Sequence, residues 1–190
     1  MRFAAIVFAA VPLFSQVNPS MLTGLEWRSI GPAATGGRIA DLAVTKSPGQ
    51  ADIIYVATTT GGVFKSVNAG ISFAPIFDHA GAMMSTGAIA VAPSNPTIVW
   101  VGTGEADNRQ SSSWGDGVYR SLDAGATWRK MGLADTRHIA KIVINPNDPN
   151  IVYIAAAGHL IGREAECLVC LERRGRRSGG VAWTIIRGSW

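Results

Sequence analysis

Glu105, Asp107, Arg109 and Trp114 fall within one polar stretch, Gly104–Asp116, set between two short apolar runs. Two carboxyl groups facing each other across a glycosidic bond, one protonated and one ionised, can hydrolyse it. An indole offers a flat apolar face for a sugar ring or a peptide side chain. Glu105 or Asp107 could pair with Asp78 or Asp135, although sequence leaves their separation open. Arg137, His138, His79 and His159 are polar residues that belong with the same set. The histidines fit plain solvent exposure better than a metal centre, so neither metal nor cofactor is expected. A polar stretch longer than a hairpin needs points to binding. The alternative is a loop that merely pins itself through its Asn, Ser and Asp side chains.

The elements that must position these residues carry a more specific signal. Ser121-Leu122-Asp123-Ala124-Gly125-Ala126-Thr127-Trp128 recurs, weakened, 55 residues earlier as Ser66-Val67-Asn68-Ala69-Gly70-Ile71-Ser72-Phe73. This is the S-x-D-x-G-x-T-W pattern known as an Asp-box. A tight hairpin leaves backbone N–H groups unpaired, and a short Asp or Asn side chain can accept from them. Gly70 and Gly125 supply the positive φ such a corner requires. The closing Phe73 or Trp128 is expected to bury its ring beside the strand it begins. Ser66, Asn68, Gly70, Ser121, Asp123, Gly125, Thr127 and Trp128 are therefore structural, their side chains consumed by the turn and the core.

A longer period surrounds the corners. Gly62–Ser66 aligns with Gly117–Ser121, an alternating strand leading into each corner. Ile53–Ala57, Ile98–Gly102 and Ile151–Ala155 are strand-favouring runs, each with a Pro seven residues before its aromatic. Ahead of each Pro turn lies another apolar strand: Arg38–Val44, Ala88–Ala92 and Ile139–Ile144. The unit is thus four strands, A to D, with aromatic-to-aromatic steps of 45 and 53 residues. Such a period is that of propeller blades rather than a β-sandwich. The expected fold is all-β, an open partial β-propeller of about two and a half four-stranded blades over residues 24–162. Glu26–Gly31 resembles Thr127–Gly132 and reads as an orphan D strand. In this architecture the B–C and D–A connections share one face, which collects the candidate polar residues, Asp78 and His79 included.

The ends differ from the middle. Residues 1–16 carry Arg2, an apolar run from Phe3 to Phe14 and small Ser15, which is a secretory leader. Export to the periplasm or medium, with no membrane span in the mature chain, is expected. Of the net charge of +4, nothing comes from the repeats: ten basic and ten acidic residues lie between Gln16 and Gly162. A nucleic-acid partner is therefore not expected. Residues 163–190 hold an Arg–Gly–Arg cluster and a lone Cys167-x-x-Cys170, too few ligands for zinc. That tail is expected to be irregular, and a reading frame slipped near residue 160 would produce it. An arc short of the usual four to eight blades exposes apolar faces at both ends, so self-association through them is expected.

Glu26–Pro32, Gly36–Asp41, Val101–Glu105 and Asn108–Tyr119 resemble the exported bacterial proteins with BNR repeats, sortilin-like and called glycosyl hydrolases. The resemblance covers about residues 24–160 and implies an Asp-box propeller in an exported protein. In xyloglucan-cleaving propellers a catalytic Asp stands just ahead of the G-G that opens strand C. Here that place holds Thr58-Thr59-Thr60 before Gly61-Gly62. The Arg-Ile-Pro of sialidases is also missing, because Ala40 follows Arg38-Ile39. The function expected is a non-catalytic module binding peptide or carbohydrate through Glu105, Asp107, Arg109, Trp114 and His138. The alternative is a glycoside hydrolase using loop carboxylates.

Overall fold

The computed structural model describes residues 37–46, 51–107 and 112–157, and the backbone of 167–173 and 183–188. The leader read at 1–16, the orphan strand at Glu26–Gly31, Arg109 and His159 lie outside the described residues.

Twelve strands form three antiparallel sheets of four, with no helix among the described residues. The first sheet runs β1 (Ile39–Thr45), β2 (Ile53–Thr58), β3 (Gly62–Ser66), β4 (Ala74–Pro75). The second runs β5 (Thr86–Ala92), β6 (Asn95–Thr103), β7 (Val118–Ser121), β8 (Arg129–Gly132). The third runs β9 (Ile139–Ile144), β10 (Ile151–Ala156), β11 (Cys167–Arg173), β12 (Trp183–Gly188). In every sheet sequence order is spatial order, the meander of a propeller blade. The three A strands adjoin from sheet to sheet, β1 against β5 and β5 against β9. The chain is an open, partial β-propeller.

Two findings correct the sequence reading. The expected irregular tail contains β11 and β12, which complete the third sheet beside β10. Leu168-Val169 and Trp183-Thr184-Ile185-Ile186 have the aliphatic, β-branched and aromatic types that suit a pleated surface. The arc is therefore three sheets rather than two and a half. Secondly, β4 is only two residues long. Pro75 has no N–H to donate to a ladder, which limits how far such a strand can extend.

One core lies between the first and second sheets. Tyr55, Ala57 and Val63 pack there against Ile89, Val99, Val101 and Tyr119, with Phe77 between. A second core joins Trp100 and Val118 to Ile142, Ile144, Val152 and Ile154 of the third sheet. Alternate residues of each central strand thus face opposite neighbours, so both faces of the second sheet are buried.

The two corners have matching geometry. The Ser121 hydroxyl accepts from the Gly125 amide at 2.8 Å and donates to Asp123 at 2.7 Å. Asp123 Oδ1 accepts from the Thr127 amide at 2.8 Å. Ser66 and Asn68 make the same bonds to Gly70 and Ser72, at 2.8 and 2.9 Å. Gly70 and Gly125 have φ of 90° and 94°, and the alanines before them, Ala69 and Ala124, also have positive φ. That second left-handed residue was not foreseen. Each alanine amide donates back to its own sheet, Ala69 to Asp52 O just ahead of β2 and Ala124 to Thr97 O in β6.

Beyond the turn, the corners diverge. Trp128 packs edge-on against Phe77 at 5.1 Å and donates from Nε1 to Ile76 O at 2.7 Å. The Ala124 carbonyl accepts from Lys65 Nζ at 2.8 Å and Tyr55 Oη at 3.3 Å. The second corner thus fastens its sheet to the first. Phe73, by contrast, is exposed, contrary to expectation. A ring at this position packs on the preceding sheet, and none precedes the first among the described residues.

Candidate functional site

Gly104–Asp116 leaves the second sheet between β6 and β7, and its base is held from three directions. The Gly104 amide donates to Ser85 O, the Glu105 amide to Ser113 O, and the Gly115 amide to Arg137 O. Thr103 Oγ1 donates to Gly117 O at 2.7 Å and accepts from the Asp116 amide at 2.8 Å. Asp116 Oδ2 accepts from Tyr119 Oη at 2.6 Å and Lys130 Nζ at 2.8 Å. Burial pushes the Asp116 carboxyl upward, but the bonds from Lys130, Tyr119 and the Met83 amide outweigh it and hold it below the usual carboxylate range. The same burial and the neighbouring Asp116 raise the Tyr119 phenol. At its base the loop is thus tied to neighbouring segments and, by the Glu105–Ser113 bond, to itself.

Glu105 is the centre of a junction between all three sheets. Its carboxylate is buried and forms an ion pair with Arg38, just ahead of β1. Its carbonyl oxygen lies 2.6 Å from Nδ1 of buried His138, just ahead of β9. Arg38 is fixed in turn by its amide, which donates to Thr59 Oγ1 at 3.1 Å, and by its carbonyl, which accepts from the Thr59 amide at 2.9 Å. The sequence reading brought Glu105 and His138 to one face, and the structure joins them. Their contacts go to the protein itself. Arg38 was missed as a partner, although it stands in the Gly36–Asp41 motif that carries the resemblance.

Trp114 has a different setting. Its ring is exposed, with the Arg137 guanidinium 4.1 Å from its centroid. It lines a cleft of ≈ 470 Å³ together with Thr60, Met83, Met84, Ser85, Ser112 and Ser113. Two sheets contribute to this cleft, through Thr60 between β2 and β3 and through the loop after β6. The lining combines two thioethers and an indole with four hydroxyl side chains, of which Ser85 Oγ donates to Ser113 O at 3.2 Å and Ser112 Oγ to Asp107 O. No carboxylate is among the described residues that line it.

The other candidates are placed apart. Asp107 is exposed in the same loop, its carbonyl accepting from Ser112 Oγ. Asp78 and His79 line a separate groove of ≈ 500 Å³ with Ile76 and the corner residues Gly125–Trp128. The expectation that they join the Glu105 loop is corrected. The short β4 ends early, and the following turn lies against the corner of the second sheet.

No family model matches the chain. It is 28% identical, over 80% of its length, to a xyloglucanase from a Paenibacillus species, and spans 16% of that protein. An ancestral GH74 enzyme of known structure superposes with a TM-score of 0.58 at 24% identity, over 85% of this chain and 19% of its own. The GH74 enzyme of Niastella koreensis gives 0.53 at 17% identity, over 76% of this chain and 21% of its own. The GH74 xyloglucanase of Xanthomonas campestris gives 0.51 at 16%, over 77% of this chain and 22% of its own. The chain thus spans 16–22% of the length of these proteins, and in fold it resembles β-propeller glycoside hydrolases.

Proposed function

We propose that the chain is an Asp-box propeller module of an exported protein that binds carbohydrate in the Trp114 cleft without hydrolysing it. The observation that carries this reading is the exposed Trp114 ring in a cleft that Thr60, Ser85, Ser112 and Ser113 also line. A sugar presents a C–H face to an indole and hydroxyls to its rim, and this lining matches both. The similarity to a xyloglucanase favours a glycan over a peptide as the ligand. Glu105 is unsuited to acid–base work because its carboxylate is committed to Arg38. Thr58-Thr59-Thr60 stand where the resemblance expects a catalytic Asp. Thr58 Oγ1 there donates to Gly62 O and accepts from the Gly61 amide, a turn-closing role. Export rests on the leader read at residues 1–16.

Hydrolysis is the second reading, favoured by that same relative and by exposed Asp107 in the loop beside the cleft. Calorimetry and reducing-end release on xyloglucan and other β-glucans separate the two. Binding lost in Trp114→Ala, with no reducing ends formed, supports the module. Reducing ends that appear with the wild type and vanish in Asp107→Asn establish the hydrolase instead.

A further inference from the structure

The two walls of the Trp114 cleft belong to different sheets. Thr60, in the turn between β2 and β3, forms one, and residues 112–114, in the loop after β6, form the other. Met84 and Ser85 line the cleft as well and are bonded to both walls. The Gly62 amide donates to Met84 O at 2.8 Å, and Ser85 Oγ donates to Ser113 O at 3.2 Å. Those bonds anchor the segment ahead of β5 to each wall in turn.

A second chain of contacts runs from wall to wall without that segment. The Ser113 carbonyl, next to Trp114, accepts from the Glu105 amide at 3.1 Å. The Glu105 carboxylate pairs with the Arg38 guanidinium. The Arg38 amide donates to Thr59 Oγ1 at 3.1 Å, and the Arg38 carbonyl accepts from the Thr59 amide at 2.9 Å. Gly37 packs so closely that an added Cβ would stand 2.2 Å from Thr59 Oγ1 and 2.8 Å from Thr60 Oγ1. Every other step here is a backbone bond or a hard contact, whereas the ion pair is the one link between two side chains. Its carboxylate is only 4% exposed, so without a charge partner it would be drawn toward water and release the walls.

We infer that Arg38 and Glu105 are positioning residues of the cleft, their ion pair setting the separation of Thr60 and Trp114 and thereby which glycan fits between. Neither side chain lines the cleft, so both act through the residues that do. A slim, unbranched chain needs a close gap for contact with both walls, and a branched one needs a wider gap, so the separation selects between them. The consequence for glycans rests on the binding reading above; the separation itself does not.

The experiment reads each substitution on the opposite wall. Arg38→Lys keeps the charge but not the planar fork, and Glu105→Gln keeps the shape but not the charge. Amide exchange followed by NMR should show the Glu105 amide about fivefold less protected in Arg38→Lys, and the Thr59 amide about fivefold less protected in Glu105→Gln. The Gly125 and Thr127 amides, bonded to Ser121 and Asp123 in the second corner, register any general loss of stability and should fall by a smaller factor. Equal losses at the corner and the opposite wall, or none at the opposite wall, overturn the positioning role. Calorimetry with an unbranched cello-oligosaccharide and a branched xyloglucan oligosaccharide should show the ratio of the two affinities moving toward one by about threefold in both variants. Affinities that fall by one common factor overturn the selectivity. A wild type that binds neither sugar defeats the glycan reading, and the protection of the opposite wall then decides the positioning role by itself.

Discussion

Arg38 and Glu105 meet as an ion pair between the first and second sheets, with the carboxylate almost wholly buried and the Arg38 side chain 40% exposed, although its Nε and Nη2 are buried. That inequality makes the two single substitutions unequal. Arg38→Ala strands a buried carboxylate, which costs about 3–5 kcal/mol. Glu105→Ala leaves the buried Nε and Nη2 of Arg38 unpaired, but the side chain is 40% exposed and can turn toward water, so the loss is smaller, about 1–2 kcal/mol. Urea unfolding of both variants measures the difference. Equal losses, or a larger one for Glu105→Ala, would show that the pair is not arranged as described.

The corner carboxylate predicts an acid dependence. The Thr127 hydroxyl and amide and the Ser121 hydroxyl hold the Asp123 carboxyl at about 2, below its ordinary 3.8. A depressed folded-state value means the stabilisation is complete above 3.8 and lost as pH falls toward 2. Asp123→Asn should remove that slope while keeping the corner, because Asn68 accepts from Ser72 in the same way with a neutral amide. Asp116 and Asp148 are also depressed, the latter by bonds from Asn150, and remain in the variant. The difference between wild-type and variant stability curves therefore isolates Asp123. Asp123→Ala should cost about 1 kcal/mol at neutral pH by thermal melting. No change in acid slope for Asp123→Asn would refute the assignment.

The corners also show what was legible in the sequence. Ser66, Asn68 and Gly70 announce a turn because each residue type has a local job within a few positions. The Pro-to-aromatic spacing announces the A–B turn for the same reason. Contacts between sheets leave no such local trace. Arg38 gives no sign that it will meet Glu105, nor Trp128 that it will bond to Ile76 O. Asp78 and His79 were assigned to the wrong neighbours because β4 is shorter than its counterparts, and strand length depends on pairing. The strands at Cys167–Arg173 and Trp183–Gly188 were missed because the repeat motif stops, although the residue types still favour strands. Motif and propensity are separate signals, and in this segment only the second persists.

Gly104 is held where a side chain cannot fit. Its φ is +87°, and an added Cβ would lie 1.8 Å from Arg137 O and 2.8 Å from the Gly115 amide nitrogen. Both obstacles are backbone, so Gly104→Ala must displace the loop or the start of the third sheet, at more than about 3 kcal/mol. Gly81 is the control, with φ of +64° and nothing within 4 Å. Gly81→Ala carries the conformational term alone, about 1–2 kcal/mol. Urea midpoints with unchanged slopes test this. Similar losses at both sites would mean that crowding at Gly104 is relieved without cost.

Arg137 connects the three-sheet junction to the cleft, since its carbonyl accepts from the Gly115 amide and its guanidinium stands 4.1 Å from the Trp114 ring centroid. The carbonyl contact is backbone and survives any substitution, so only the stacking changes in Arg137→Ala. A cation on an exposed indole is worth about 0.5–1 kcal/mol, which converts to a two- to fivefold loss of glycan affinity if the stacked orientation is the binding one. Arg137→Lys should recover part of it, because an ammonium keeps the charge but not the planar stack. Calorimetric titration should give a graded order of wild type, Arg137→Lys, Arg137→Ala and Trp114→Ala. If Arg137→Ala binds more tightly than wild type, the guanidinium is competing with the sugar for the ring, and the cleft opens only when Arg137 leaves it.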